Sequence, residues 1–202
     1  MLYSKKLRSH LLGSSALAVG AFMLAAGGTA SAGIALEPCD GGPATAGGSI
    51  TCSGDHTYAM TSGFDDLTVT LNADANVSYS NGPVIQFYGA SNDLVLKDFA
   101  TIVSSDSYSA VLLSGDDGTV TLNGGASITL YGVGGNGLNT AVDASGAGIS
   151  VTLNGGSSIV LVGEAGERKY AYGNGVTFSG DGSSLTLNGG SHVDVTGGST
   201  GD

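Results

Sequence analysis

The sequence has 202 residues, 36 of them Gly, and its 17 Asp and Glu outnumber its 6 Lys and Arg. All the acids fall after position 32, where only Lys97, Arg168 and Lys169 oppose them, so residues 33–202 carry a net charge of −14. A surface that acidic repels phosphate backbones and excludes nucleic acid as a partner.

The chain opens on Met1–His10 with Lys5, Lys6 and Arg8, continues through the apolar run Leu11–Ala26, and reaches the small-residue triplet Ala30-Ser31-Ala32. Charged, apolar, then A-x-A is the layout of a secretory signal peptide, so residues 1–32 are read as a helical leader and the mature chain as starting near Gly33. The apolar run is 16 residues long and holds Gly13 and Gly20. That is short of the ~20 residues a spanning helix needs. Export through the inner membrane is the expectation, to the periplasm and then to the cell surface or medium.

Residues 33–66 are read as an N-terminal cap. Cys39 and Cys52 enclose twelve residues there, and in an oxidising compartment they are expected to pair. Closing such a loop contributes ~3 kcal/mol in the chain-entropy treatment. His56 is the only nearby third ligand, which is too few for a tetrahedral zinc set, so no metal is expected.

From residue 67 the sequence repeats. Leu67-Thr68-Val69-Thr70-Leu71-Asn72 is followed by Thr119-Val120-Thr121-Leu122-Asn123, Ser150-Val151-Thr152-Leu153-Asn154 and Ser184-Leu185-Thr186-Leu187-Asn188, with a degenerate copy at Leu94-Val95-Leu96-Lys97. Six residues after each Leu stands Val77, Ile102, Ile128, Ile159 or Val193, and two further on, in most copies, Tyr79, Leu130, Leu161 or Val195. Seven residues before the Leu stands Gly89, Gly115, Gly146 or Gly180. Ahead of that Gly come the pairs Ile85/Phe87, Val111/Leu113, Val142/Ala144 and Val176/Phe178. Each unit of about 25–34 residues thus holds three short strands of period 2, apolar on one face and mostly Thr and Ser on the other.

Such a unit buries nothing alone. Stacked in register, its copies close one core, which predicts an all-β fold: a parallel, right-handed β-helix (a solenoid) of four to five three-strand rungs. The stacked Asn residues should bond along the axis, with Lys97 interrupting them and pointing outward. Asn-Gly-Gly and Gly-Asp-Gly turns supply positive φ. A β-sandwich shares the turn signals but has no need of in-register repetition, and a disordered chain would lack the apolar alternation.

Length varies at one corner only. Tyr79 to Ile85 spans 6 residues, Leu130 to Val142 spans 12 and Leu161 to Val176 spans 15. Insertions at one corner of a solenoid project from one edge, where such proteins carry binding. The longest, 162–175, holds Arg168, Lys169, Tyr170 and Tyr172, the candidate contact surface. After Val193-Asp194-Val195 the repeat stops in mid-unit.

Nothing in the sequence reads as a catalytic centre. His56 and His192 lie at opposite ends of the array, so no Ser or Cys gains a base at triad distance. Asp65-Asp66 and Asp116-Asp117 sit in Gly-flanked turns, where Asp serves the backbone. The stretch from Gly134 to Asn139 fits a calcium nonapeptide loosely, in a single copy. No cofactor is expected. A polysaccharide lyase or hydrolase is the enzymatic alternative, although its converging carboxylates are missing from the strand faces.

The leader, the cysteine pair ending in Ile50-Thr51-Cys52-Ser53-Gly54, and the L-x-V-x-L-N and V-T-L-N-G-G-x-S-I repeats together resemble the front of an autotransporter, the type V secretion class of Gram-negative bacteria. The resemblance implies a β-helical passenger acting in adhesion, aggregation or host contact, with surface glycans or proteins as partners. In that family the outer membrane is reached through a C-terminal β-barrel, of which this sequence shows no strands. A truncated, functionless passenger remnant is the remaining expectation.

Overall fold

The alternation and the fixed spacings become, in the computed structural model, three parallel sheets wound from one chain. The structure describes Cys39 and residues 44–105, 109–131, 139–163 and 173–196. The leader lies outside them. Among the described residues every regular element is a strand, and no helix is long and apolar enough to cross a membrane.

The first rung is β1 (Ser49–Cys52), β2 (Asp55–His56) and β3 (Met60–Ser62); the second is β4 (Thr68–Leu71), β5 (Asn76–Tyr79) and β6 (Ile85–Phe87). The third is β7 (Asp93–Leu96), β8 (Thr101–Ser104) and β9 (Val111–Leu113), and the fourth β10 (Thr119–Leu122), β11 (Ser127–Tyr131) and β12 (Asn139–Ala144). The fifth is β13 (Ser150–Leu153), β14 (Ser158–Val162) and β15 (Gly173–Phe178), and β16 (Ser184–Leu187) with β17 (His192–Thr196) begins a sixth. Every third strand pairs, giving the orders β1-β4-β7-β10-β13-β16, β2-β5-β8-β11-β14-β17 and β3-β6-β9-β12-β15. Among the described residues this is a parallel β-helix of five complete rungs and a two-strand sixth, one more rung than the Leu-Asn phrase alone marks. The additional one lies within the stretch read as a cap.

That first rung escapes the repeat pattern because its residue types differ and its first corner is two residues shorter: His56, which pairs with Val77, follows Cys52 by four residues where Val77 follows Leu71 by six. Ile50 and Cys52 pair with Val69 and Leu71, and Met60 and Ser62 with Ile85 and Phe87. Cys52 therefore fills the Leu column, fully buried, and is bonded to Cys39.

Inward columns run the length of the solenoid as the spacings require. Val69, Leu94, Val120, Val151 and Leu185 align, as do Leu71, Leu96, Leu122, Leu153 and Leu187. Val77, Ile102, Ile128, Ile159 and Val193 form the second sheet's column, and Ile85, Val111, Val142 and Val176 the third's. Ser104, like Ser62, is an inward position that departs from type: it stands between Tyr79 and Leu130, fully buried, with its Oγ unpaired.

The Asn stack forms with one substitution in it. Asn188 Nδ2 donates to Asn154 Oδ1 (3.0 Å) and Asn154 Nδ2 to Asn123 Oδ1 (3.1 Å). Lys97 does not leave the row: its Nζ donates to Asn72 Oδ1 at 3.1 Å, a charge-assisted bond where an amide pair would otherwise stand.

Gly89, Gly115, Gly146 and Gly180 form a column for a steric reason. A Cβ on Gly115, Gly146 or Gly180 would overlap the carbonyl of the preceding Gly in the column, and one on Gly89 the carbonyl of Phe64. Their φ is not positive. Only a hydrogen fits between rungs at this corner. The positive φ expected of turn glycines belongs to others, Gly155 and Gly156 (62° and 77°) among them. Earlier rungs place Asp66, Asp74, Ser91, Phe99 and Asp117 in that conformation instead.

Candidate functional site: the variable corner

The corner between the second and third strands of each rung is where the chain departs from the sheets. In the first rung Thr57–Ala59 cross it, in the second Ser80–Val84, and from Ser104 to Val111 the third rung spans 7 residues. Of the later insertions, 132–138 and 164–172 are outside the described residues. The sequence-predicted contact residues Arg168, Lys169, Tyr170 and Tyr172, and the calcium-like stretch up to Leu138, fall there.

The roots of these insertions are described. Gly163 N–H donates to Thr196 O at 2.8 Å, tying the exit of β14 to the end of β17. At the return, a Cβ on Gly173 would stand 2.7 Å from both Asn139 O and Leu161 Cδ1, so Gly is required where β15 comes back onto β12. Asn139 itself is buried with neither side-chain polar atom paired.

On the short side of the same corner lies a cleft of ≈ 310 Å³. Three successive rungs line it: Thr57 from the first, Ser78, Tyr79, Ser80 and Asn81 from the second, Val103 and Ser105 from the third. Among the described residues its wall is hydroxyl and amide groups with one aromatic ring and Val103, and none of them carries a charge. Such a surface offers hydrogen bonds and a stacking face to a polar ligand. Its position follows from the corner's spacing. Its members are ordinary turn residues, and no sequence signal singles them out.

The remaining chemistry-bearing side chains are distributed. Asp65 Oδ1 accepts from Ala90 N–H and Asp116 Oδ1 from Ala147 N–H, both at 2.8 Å, so the first acid of each pair stitches its turn to the next rung. The second acid of each, Asp66 and Asp117, holds positive φ. His56 and His192 occupy the opposite end strands of one sheet. Tyr58 Oη meets His56 Nδ1 at 3.1 Å and Cys39 Sγ at 3.3 Å, which packs the first rung's corner around the disulfide. Burial pushes the carboxyl of Asp143, on the outward face of β12, above its ordinary value of 3.8. Its strand neighbours Leu112 and Thr177 bring no compensating charge. Among the described residues, no three His, Cys, Asp or Glu side chains gather closely enough to hold a metal ion.

No family model, no curated protein and no solved structure matches the chain.

Proposed function

We propose that this chain is the β-helical part of an exported interaction protein of the autotransporter-passenger kind. It acts by adhesion through its variable corner and not by catalysis, and its partners are glycans or proteins of a host or bacterial surface. One observation carries the reading: three successive corners wall a hydroxyl-rich cleft, with no charge among its described lining residues, on the side of the solenoid where the insertions fall. Binding surfaces of solenoids lie where insertions accumulate on an otherwise regular stack. The acid pairs support a non-enzymatic role, since Asp65 and Asp116 spend their carboxylates on backbone amides. Delivery rests on the leader-like sequence of residues 1–32.

The test is binding of the purified chain to arrayed surface glycans and matrix proteins. It is repeated with Tyr79→Ala plus Asn81→Ala, and with Arg168→Ala plus Tyr170→Ala. Binding weakened at least tenfold by either pair, with the β-sheet circular dichroism unchanged, supports the corner. Binding untouched by both, or cleavage of an acidic polysaccharide in the presence of calcium, overturns the reading.

A further inference from the structure

Six Asn-Gly steps occur in the sequence, beginning at Asn81, Asn123, Asn136, Asn154, Asn174 and Asn188. At this dipeptide a backbone amide most readily attacks the side chain before it, because Gly brings no Cβ into the way and lets the peptide turn. The Gly nitrogen bonds to the Asn Cγ, the Cγ–Nδ2 bond breaks and ammonia leaves. Water then opens the succinimide at one carbonyl or the other, giving aspartate or isoaspartate. Water is the only co-reactant, and each event replaces a neutral amide by a carboxylate.

The fold restrains these steps unequally. In the axial row, Asn123 Nδ2 donates to Leu96 O while its Oδ1 accepts from Asn154 Nδ2, and Asn154 Oδ1 accepts from Asn188 Nδ2. Each of the three also heads a closed turn, its carbonyl accepting from the N–H of Ala126, Ser157 or Ser191. The nitrogen that would attack Asn154, Gly155 N–H, donates to Asn188 O. Asn174 and Gly175 lie inside β15, where Asn174 pairs with Thr140 and the peptide is held extended. Asn136 is outside the described residues. Asn81 and Gly82 have no such restraint. They form a bend after β5, Asn81 is exposed, and among the described residues neither its side chain nor Gly82 N–H has a hydrogen-bond partner. Asn81 also lines the cleft, and a Cβ on Gly82 would stand 3.6 Å from Cε1 of the Tyr79 ring in the same wall.

We propose that Asn81 is a self-modification site: in the folded chain Gly82 N attacks its Cγ, the amide becomes a carboxylate, and the cleft gains a charge that none of its described lining residues carries. The row asparagines are spared by the same bonds that hold the rungs together. A carboxylate beside the hydroxyls of Ser78, Ser80 and Ser105 turns this wall toward ligands bearing an ammonium or guanidinium group. Isoaspartate would in addition lengthen the backbone of the corner by one carbon. The effect on ligand choice rests on the cleft being the binding surface; the modification itself does not.

The folded full chain is incubated at mildly alkaline pH, sampled over weeks and digested. Each Asn-Gly peptide is then followed by the mass gain of amide to acid and by enzymatic methylation of isoaspartate. Asn81 should convert about tenfold or more faster than Asn123 and Asn154, which must first give up their hydrogen bonds. The same incubation in urea removes the fold, and there the three rates should converge. Asn81→Gln should abolish the early signal, since the larger ring closes far more slowly. Conversion of Asn81 no faster than that of Asn123 and Asn154 in the folded chain overturns the proposal. So does a lead of the same size in urea, which would assign it to neighbouring sequence and not to the fold. Because the readout is mass, a failed binding assay would sink the adhesive reading and leave this result standing, whereas a stable Asn81 would sink this proposal alone.

Discussion

Replacing Gly115 by Ala tests whether the glycine column is steric. The added Cβ would stand 2.8 Å from Ala90 N and deeper still into the Gly89 carbonyl, both of them backbone, so no side chain can swing aside. The rungs must separate locally. Strands in a sheet sit ~4.8 Å apart, and widening that gap stretches the bonds on either side of the corner. Those bonds are Ser114 N–H to Phe87 O (2.8 Å) and Ser91 N–H to Asp116 O (2.7 Å). Overpacking costs ~1–3 kcal/mol and each weakened bond up to about 1 kcal/mol, so a loss of about 2–4 kcal/mol is expected. For a domain whose whole stability is ~5–15 kcal/mol, that is a large fraction. The comparison is Gly156→Ala, where φ is 77° and a Cβ meets nothing within 4 Å. That change should cost only the left-handed strain, ~1–2 kcal/mol, and Gly156→Asn less, since Asn tolerates the conformation. Urea unfolding followed by far-ultraviolet circular dichroism measures all three. Equal losses from Gly115→Ala and Gly156→Ala, or a loss at Gly115 below about 0.5 kcal/mol, would refute the steric account.

Leu153→Asp should unfold the central rungs, because an unpaired carboxylate replaces a fully buried side chain at a cost of several kcal/mol, whereas Thr152→Asp faces outward between Thr121 and Thr186 and should shift stability by about 0.5 kcal/mol or less. Equal effects in thermal melts would contradict the inward assignment. Cys39→Ser should lower stability by ~3 kcal/mol, with hydrogen-exchange protection lost first in β1–β3; uniform loss along the array would argue that the disulfide does not act on the end rung. Asp143 has a raised pKa, so the folded chain holds its proton more tightly than the unfolded one. Stability from this group is full below pH 3.8 and is lost as pH rises through the folded value. Asp143→Asn should accordingly be the more stable form at neutral pH and lose that advantage in acid, which denaturant titrations at pH 7 and pH 3 will show.

The columns were legible because a buried parallel stack imposes two regularities a sequence can carry, period 2 within each strand and constant spacing between strands. Leu71 through Leu187 obey both. The first rung was not legible, because register is a property of the backbone: Cys52 occupies the Leu position and Ser62 the Phe position without resembling either. Gly115 and its partners were visible as a spacing, but the spacing does not say whether a glycine is present for its φ or for its missing Cβ. Lys97 does interrupt the amide row and is exposed, with Asn123 Nδ2 donating to Leu96 O in its place, while its long stem lets the ammonium reach back to Asn72. The cleft was illegible. Serine, threonine and asparagine at a corner read as turn chemistry until three rungs place them side by side.

A solenoid of this kind separates what must be constant from what is free. At two corners of each rung the chain turns within four or five residues, or two between β1 and β2, and successive turns bond to one another: Asp65 to Ala90, Asp116 to Ala147, and Gly155 N–H to Asn188 O at 3.2 Å. The ring of Phe99, held at φ 60°, lies where a Cβ on Gly125 in the following rung would stand 3.0 Å from it. A residue gained at either corner would therefore displace its neighbours on both sides. The third corner spans 6, 7, 12 and 15 residues from the second rung to the fifth, and among the described residues its roots are bonded from rung to rung as well: Val84 N–H to Ala110 O at 3.0 Å, Ser105 N–H to Tyr79 O at 3.3 Å and Gly163 N–H to Thr196 O at 2.8 Å. Loop-closure entropy grows only as the logarithm of length, so lengthening there costs about 0.6 kcal/mol per doubling. Most of the variation therefore falls at the third corner, where length can be added between bonded roots without changing the spacing of the strands on either side.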